Sequence, residues 1–250
     1  MSGHSKWSTI KRKKGKIDQE RGKIFSKLIR EIMMAVKIGG ADQEANARLR
    51  LAIQKAKEEN MPNDNLKRAI QKGSAASESA NLEEILFEAY APFGVALLIS
   101  TVTDNKNRTV PNIRSVLTKY NGSMAAKGAV SYLFDKKGIF LFEPGADEEK
   151  IMEVALDGGA DDVDTKEDGS IEVLTQPNCF EQVKELFDKN NLSYASNEIT
   201  WIPKTVVNLD KEQARKILKL IDKMEEDDDV QAVYSNHDVT ESILMELDEE

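Results

Sequence analysis

Residues 139–201 read IFLFEPGADEEKIMEVALDGGADDVDTKEDGSIEVLTQPNCFEQVKELFDKNNLSYASNEITW, and the order of elements in this stretch decides the fold class. Ile139–Phe142 is a short apolar strand, Glu148–Leu156 has helical spacing, and Asp162–Thr165 is a strand again. The Asp168-Gly169 turn leads to a strand at Ile171–Leu174, a helix near Phe180–Lys189 and a strand at Tyr194–Trp201. The order β-α-β-β-α-β is the split unit of ferredoxin-like folds.

Outward from this unit the grammar stays mixed. On the C-terminal side, Thr205–Leu209 reads as a strand, Lys211–Met224 as a helix and Val230–Tyr234 as a strand. On the N-terminal side, Ile85–Tyr90 and Val95–Thr103 are strands around the turn Ala91-Pro92-Phe93-Gly94. A helix follows over Asn105–Tyr120, then a strand over Ala129–Phe134, with Lys137-Gly138 as a break. The last α-β pair completes the earlier β-β-α-β. Residues 76–134 with 204–250 then form a discontinuous middle domain, and 135–203 is an insertion within it.

The first third is different again. Phe25, Leu28, Ile29, Ile32 and Val36 recur at spacings of three and four, one face of an amphipathic helix that Gly39-Gly40 ends. A second helix is expected from about Asp42 to Glu59, with Ala45, Leu49, Ala52, Ile53 and Ala56 inward, broken by Asn60-Met61-Pro62. Asn63 or Asp64 caps a short third helix that carries Leu66, Ala69 and Ile70 inside and closes at Gly73. The fold class is therefore α+β: an N-terminal three-helix bundle over 23–75, followed by two α/β domains, one of them ferredoxin-like. Residues 1–22 hold only Trp7, Ile10 and Ile17 as large apolar side chains, and read as a flexible basic arm that orders on binding. Trp7 either stacks on a base or pins the arm to the body.

Charge is divided as sharply as structure. The net charge is -9, yet residues 1–75 hold 18 Lys+Arg against 8 Asp+Glu, while the remaining 175 hold 17 against 36. A cationic module on an anionic body suggests a polyanion approached from one end. The candidate nucleic-acid contacts are Lys6, Lys11, Arg12, Lys13, Lys14 and Lys16 in the arm, and Lys23, Lys27 and Arg30 as a stripe on the first helix. Arg48 and Lys55 on the second helix and Lys67, Arg68 and Lys72 on the third complete the basic skin.

Other chemistry is thin. A single cysteine, Cys179, rules out an internal disulfide or a cysteine zinc cluster, and reads as a small buried hydrophobe beside Phe180. Two histidines, His4 and His237, leave little for catalytic triads or imidazole metal sites. The run Gly158 to Asp168 invites a calcium reading, but Lys166 stands where the third oxygen ligand belongs, and a solvated β-hairpin is the better account. Glu225 to Asp229 reads as a solvated helix end. No signal peptide and no apolar stretch of membrane-spanning length is read, so the expected compartment is the cytoplasm, with no cofactor, metal or small-molecule substrate. The polar cluster Thr103-Asp104-Asn105-Lys106-Asn107-Arg108-Thr109 lies between a strand and a helix. Asp104 or Asn105 is a helix cap there, while Asn105, Asn107 and Arg108 are secondary candidates for phosphate or a partner.

Ser2-Gly3-His4-Ser5-Lys6-Trp7, the basic run after it, Arg48-Leu49-Arg50 with Asn60-Met61-Pro62, and the Thr103–Thr109 cluster together resemble the YebC/PmpR family along essentially the whole chain. The resemblance implies a helical N-terminal domain and two α/β domains, the third inserted into the second. It also implies a DNA-binding transcriptional regulator, or, as for mitochondrial and some bacterial relatives, a factor tied to translation on the ribosome. One departure is Ala91-Pro92-Phe93-Gly94, where the family usually has a more glycine-rich turn.

Two binding functions follow as expectations. A duplex-DNA regulator would set Asn65, Lys67, Arg68 and Lys72 of the third helix in a groove. A ribosome-associated factor would place the same surface on ribosomal RNA. The chain's 26 lysines against nine arginines mildly favour that second reading, because lysine reads guanine edges poorly, while the family resemblance favours the first. The expectation is a non-enzymatic nucleic-acid-binding regulator, with the ribosome-associated factor as the alternative. An enzyme is the weakest expectation, since no acid, base and nucleophile set is visible.

Overall fold

The computed structural model describes residues 21–75, 81–166 and 168–248. Its described residues divide into two units, one of residues 21–131 with 212–235 and one of 132–211 with 236–248.

The first unit begins with three helices, α1 (Arg21–Gly39), α2 (Ala47–Glu58) and α3 (Asn63–Ser74). Ile32, Val36, Leu49, Ile53, Leu66 and Ala69 meet in their shared core, at the three- and four-residue spacings of the sequence. The second helix starts five residues later than its apolar pattern suggests, and Ala45 is exposed. The reason is Asn46. Its Oδ1 accepts from Leu49 N at 3.0 Å, while its Nδ2 donates to Ala35 O at 2.9 Å and Gly40 O at 2.8 Å. One buried amide thus caps α2 and ties it to the end of α1. Pro62 rather than Asn63 or Asp64 is the residue before α3. Gly73 does not close that helix, which runs on to Ser74. A Cβ there would come within 2.8 Å of Met33 O, so the glycine lets α3 lie against α1.

Four antiparallel strands follow in the order β3-β1-β2-β9: β1 (Glu83–Tyr90), β2 (Ala96–Thr103), β3 (Ser123–Met124) and β9 (Val230–Ser235). The helices α4 (Lys106–Lys119) and α7 (Lys211–Glu225) belong to this half of the chain. The last α-β does return to the earlier strands, since β9 pairs with β2 from Leu97↔Ser235 to Thr101↔Val230. β2 is buried along nearly its whole length, and Val102 packs with Met34 of α1 and Leu82.

The second unit carries the βαββαβ pattern: β4 (Phe134–Phe142), α5 (Glu148–Asp157), β5 (Ala160–Thr165), β6 (Ile171–Thr175), α6 (Phe180–Lys189) and β7 (Ser196–Pro203). The sheet order β5-β6-β4-β7, antiparallel throughout, is that of the ferredoxin-like fold. Phe140 anchors its core, stacked on Phe180 at 4.7 Å and edge-on to Phe187 at 5.1 Å. The expected strand at Ala129–Phe134 and break at Lys137-Gly138 are both corrected. β4 begins at Phe134 and runs straight through Gly138, where a Cβ would sit 2.4 Å from both Phe180 Cδ2 and Thr175 Oγ1. The glycine is there for the close approach of Phe180. Cys179 is half-buried at the start of α6 and not enclosed in the core. The strand expected over Thr205–Leu209 shrinks to β8 (Val207–Asn208), which pairs in parallel with β10 (His237–Asp238); α8 (Glu241–Asp248) ends the described chain.

No helix among the described residues is long and apolar enough to cross a membrane. The class is α+β, with a helical N-terminal region followed by sheet-containing domains.

Candidate nucleic-acid interface

The basic skin of the bundle includes cations held by groups within the protein and cations with exposed side chains. Arg48 belongs to the first kind. Its Nε and Nη2 donate to the two carboxylate oxygens of Glu31 on α1, at 2.7 and 3.0 Å. Its Nη1 and Nη2 also reach the two oxygens of Glu84 on β1, at 2.9 and 3.1 Å. Burial by itself would lower the guanidinium pKa, but the hydrogen bonds and charges of Glu31 and Glu84 overcome it and hold Arg48 above its ordinary value. The residue is a clamp joining α1, α2 and β1.

Two further candidates on α1 are engaged at the loop after α7. Lys27 Nζ donates to Glu225 O at 2.7 Å; Arg30 Nη1 donates to Asp228 O, and Arg30 Nη2 lies 3.4 Å from Asp229 Oδ1. The run Glu225–Asp229 is therefore more than a solvated helix end. Asp229 is buried at 2% exposure and gathers a set of donors around its carboxylate. Arg108 Nη2 donates to Oδ1 and Oδ2 at 2.9 Å, Thr103 Oγ1 lies 3.2 Å from Oδ2, and Thr109 Oγ1 lies 2.8 Å from it. Asn105 caps α4 by accepting from Arg108 N at 3.2 Å, and its own N–H donates to Thr103 Oγ1 at 2.9 Å. Hydrogen bonds that Arg108 donates to Asp229 and Asp104 raise its pKa, and Arg108 in turn holds the Asp104 carboxyl below its usual range. Within Thr103–Thr109, the buried Thr103 and Thr109 and the guanidinium of Arg108 thus turn toward Asp229, while residues 104–108 keep exposed surface. Of its secondary candidates, Asn105 is a helix cap, Arg108 is a partner of Asp229, and Asn107 is exposed.

Three of the exposed cations of the bundle lie together on α3. Leu66, Ala69 and Gly73 are its buried face, and Lys67, Arg68 and Lys72 are exposed on the other side. Lys55 of α2 is exposed and Lys23 of α1 is half-buried. The arm candidates Lys6, Lys11, Arg12, Lys13, Lys14 and Lys16, and Trp7 with them, lie outside the described residues.

A second buried carboxylate lies on β1. Glu88 accepts from Gly128 N at 2.6 Å, Val130 N at 2.6 Å and Ser131 N at 2.9 Å, and Tyr90 Oη donates to Ala129 O at 3.0 Å. Burial would raise the Glu88 pKa, but the backbone N–H groups prevail and lower it from 4.5. These bonds occupy the backbone of residues 128–131, which is why that segment forms no strand.

The β1–β2 turn holds the remaining local anomaly. Phe93 has φ of 65°, the left-handed region, in a turn where Ala91 N donates to Val95 O at 2.8 Å. Such a backbone costs a bulky residue about 1–3 kcal/mol. Phe93 is nonetheless 42% exposed, with the Lys216 ammonium 5.8 Å from its ring centre. An exposed cation–π contact returns only ~0.5–1 kcal/mol.

Two family models match the chain, that of the TACO1/YebC protein N-terminal domain over residues 5–76 and that of the TACO1/YebC second and third domain over residues 82–237. The chain belongs to the TACO1/YebC family. A probable transcriptional regulatory protein of Geobacter sp. (strain M21) is 52% identical to it, over 99% of this chain and 100% of the relative. One from Francisella tularensis subsp. novicida (strain U112) is 48% identical over the same shares. The crystal structure of a conserved hypothetical protein from Aquifex aeolicus matches with a TM-score of 0.81 and 43% identity, covering 91% of this chain and 94% of that one.

In this TACO1/YebC chain, the sequence did not single out Glu31, Glu84, Glu88 or Asp229. Glu88 carried a signal, a carboxylate inside the apolar run Ile85–Tyr90. Asp229 carried none, being one of five consecutive acidic residues.

Proposed function

We propose that this TACO1/YebC chain is a non-enzymatic nucleic-acid-binding regulator of the cytoplasm that grips its target through the arm and the outer face of α3. The observation that carries this reading is the contrast within the bundle. Arg30 and Arg48 are paired with carboxylates, whereas Lys67 and Arg68 stand exposed side by side on the outer face of a short helix. Those two cations can meet phosphate directly. Relatives named probable transcriptional regulatory proteins support duplex DNA as the target. The test is affinity of the full chain for promoter duplex across a salt series, with and without Lys67→Ala and Arg68→Ala. A uniform loss over all sequences marks a phosphate grip; a changed preference between sequences makes α3 a base reader.

A second reading, a translation factor on ribosomal RNA, has its own observation. Of nine arginines, Arg30, Arg48, Arg108 and Arg215 are engaged by carboxylates among the described residues, which leaves a lysine-dominated surface suited to phosphate and shape more than to guanine edges. Co-sedimentation with ribosomes, with and without nuclease, separates the two.

A further inference from the structure

We infer that Phe93 and the exposed lysines of α7 form a second contact surface, one that takes single-stranded nucleic acid by stacking a base on the Phe93 ring. This rests on the nucleic-acid reading above and adds a place and a strand state to it. The strained backbone at Phe93 is not repaid by packing, since the ring is 42% exposed and Lys216 is the cation set against it. A side chain kept in a conformation that favours glycine, and kept on the surface, has its use outside the fold. The ring's neighbourhood indicates what that use is. α7 buries Ala214, Ile217, Leu218, Leu220, Ile221 and Met224, and this leaves Lys216 and Lys219 exposed on the opposite side, one turn apart. Lys223 continues the stripe but is bonded to Glu226. An aromatic face beside a short track of ammonium groups is the arrangement that holds a single strand, in which phosphates follow the cations and a base leaves its neighbours for the ring. A duplex keeps its bases stacked inside and offers Phe93 only its backbone.

The test uses the full chain, a labelled oligothymidine of about 15 nucleotides, within the usual range of site sizes, and a mixed-sequence duplex of similar length. Phe93→Gly places the residue that favours this φ in the turn, so the melting temperature should hold or rise. Affinity for the single strand should fall roughly five- to 150-fold, the effect of one lost stacked base, while duplex affinity stays within about twofold. Phe93→Tyr should restore single-strand binding. Lys216→Ala with Lys219→Ala should reduce the single-strand salt slope by about 1.4. Unchanged single-strand affinity in Phe93→Gly, or an equal loss on both probes, overturns the inference while the α3 reading stands. A lowered melting temperature with binding intact shows Phe93 to be a packing residue and overturns it too. If the unaltered protein binds neither probe, the nucleic-acid reading fails as a whole and this inference with it.

Discussion

Asp229 shows what a single side chain decides in this molecule. It is 2% exposed and its carboxylate faces Arg108, Arg30, Thr103 and Thr109, so it joins α1, β2 and α4 at the start of β9. Removing one partner of a buried ion pair leaves the rest uncompensated, at a cost of ~3–5 kcal/mol. Arg108 keeps a 45% exposed side chain and can turn to water, so the lower end applies. Asp229→Ala should therefore destabilise the chain by ~3 kcal/mol in a chemical unfolding experiment. An unmoved midpoint would mean that the cluster is ornamental. Gly138 makes the opposite kind of demand. A methyl group 2.4 Å from Phe180 and Thr175 overpacks the ferredoxin-like core, and Gly138→Ala should lower stability by ~1–3 kcal/mol. The thermal transition of that variant checks it.

At the scale of elements, the segment after β3 depends on one carboxylate. Glu88 has its folded pKa below the ordinary 4.5, so its contribution is fully present above that value and is lost as pH falls through the depressed folded pKa. Stability of the unaltered chain should decline below about pH 4.5 in part for this reason, and Glu88→Gln should flatten that portion of the profile while lowering stability at neutral pH. Denaturation midpoints over a pH series decide it; parallel profiles would remove Glu88 from the account. Most elements were legible because their apolar spacing is regular, as in α1, α7 and the six elements of the ferredoxin-like unit. The failures share one cause. The start of α2, the end of α3 and the course of β4 were each moved by a residue, Asn46, Gly73 or Gly138, whose partner lies on another element. Local propensity carries no record of that partner.

For the whole molecule, the division of charge sets the clearest expectation. Each phosphate neutralised on a duplex contributes about 0.9 to the slope of log affinity against log salt. Lys67→Ala with Arg68→Ala should then lower the duplex slope by roughly 2, and deletion of residues 2–16, with six cations, by roughly three to five. Arg48→Ala serves as the contrast. Its guanidinium is held by Glu31 and Glu84, so its loss should appear in the melting temperature before it appears in the slope. A slope unchanged in the α3 variant would move the polyanion site off the bundle.

The sequence alone determined the α+β class, the ferredoxin-like order of elements, the three-helix start and the cationic first third. All of these follow from periodicity and composition, which are properties of neighbours along the chain. Only the tertiary structure decided which cations are spent. Arg48 and Glu84 are 36 residues apart, Arg108 and Asp229 are 121 apart, and Thr103 and Asp229 are 126 apart, so each carboxylate partner was invisible until the chain closed on itself. A basic residue looks the same in sequence whether it meets solvent or an internal carboxylate. The difference is one of position in space, and the packing of α1 and β9 against β2 supplies it.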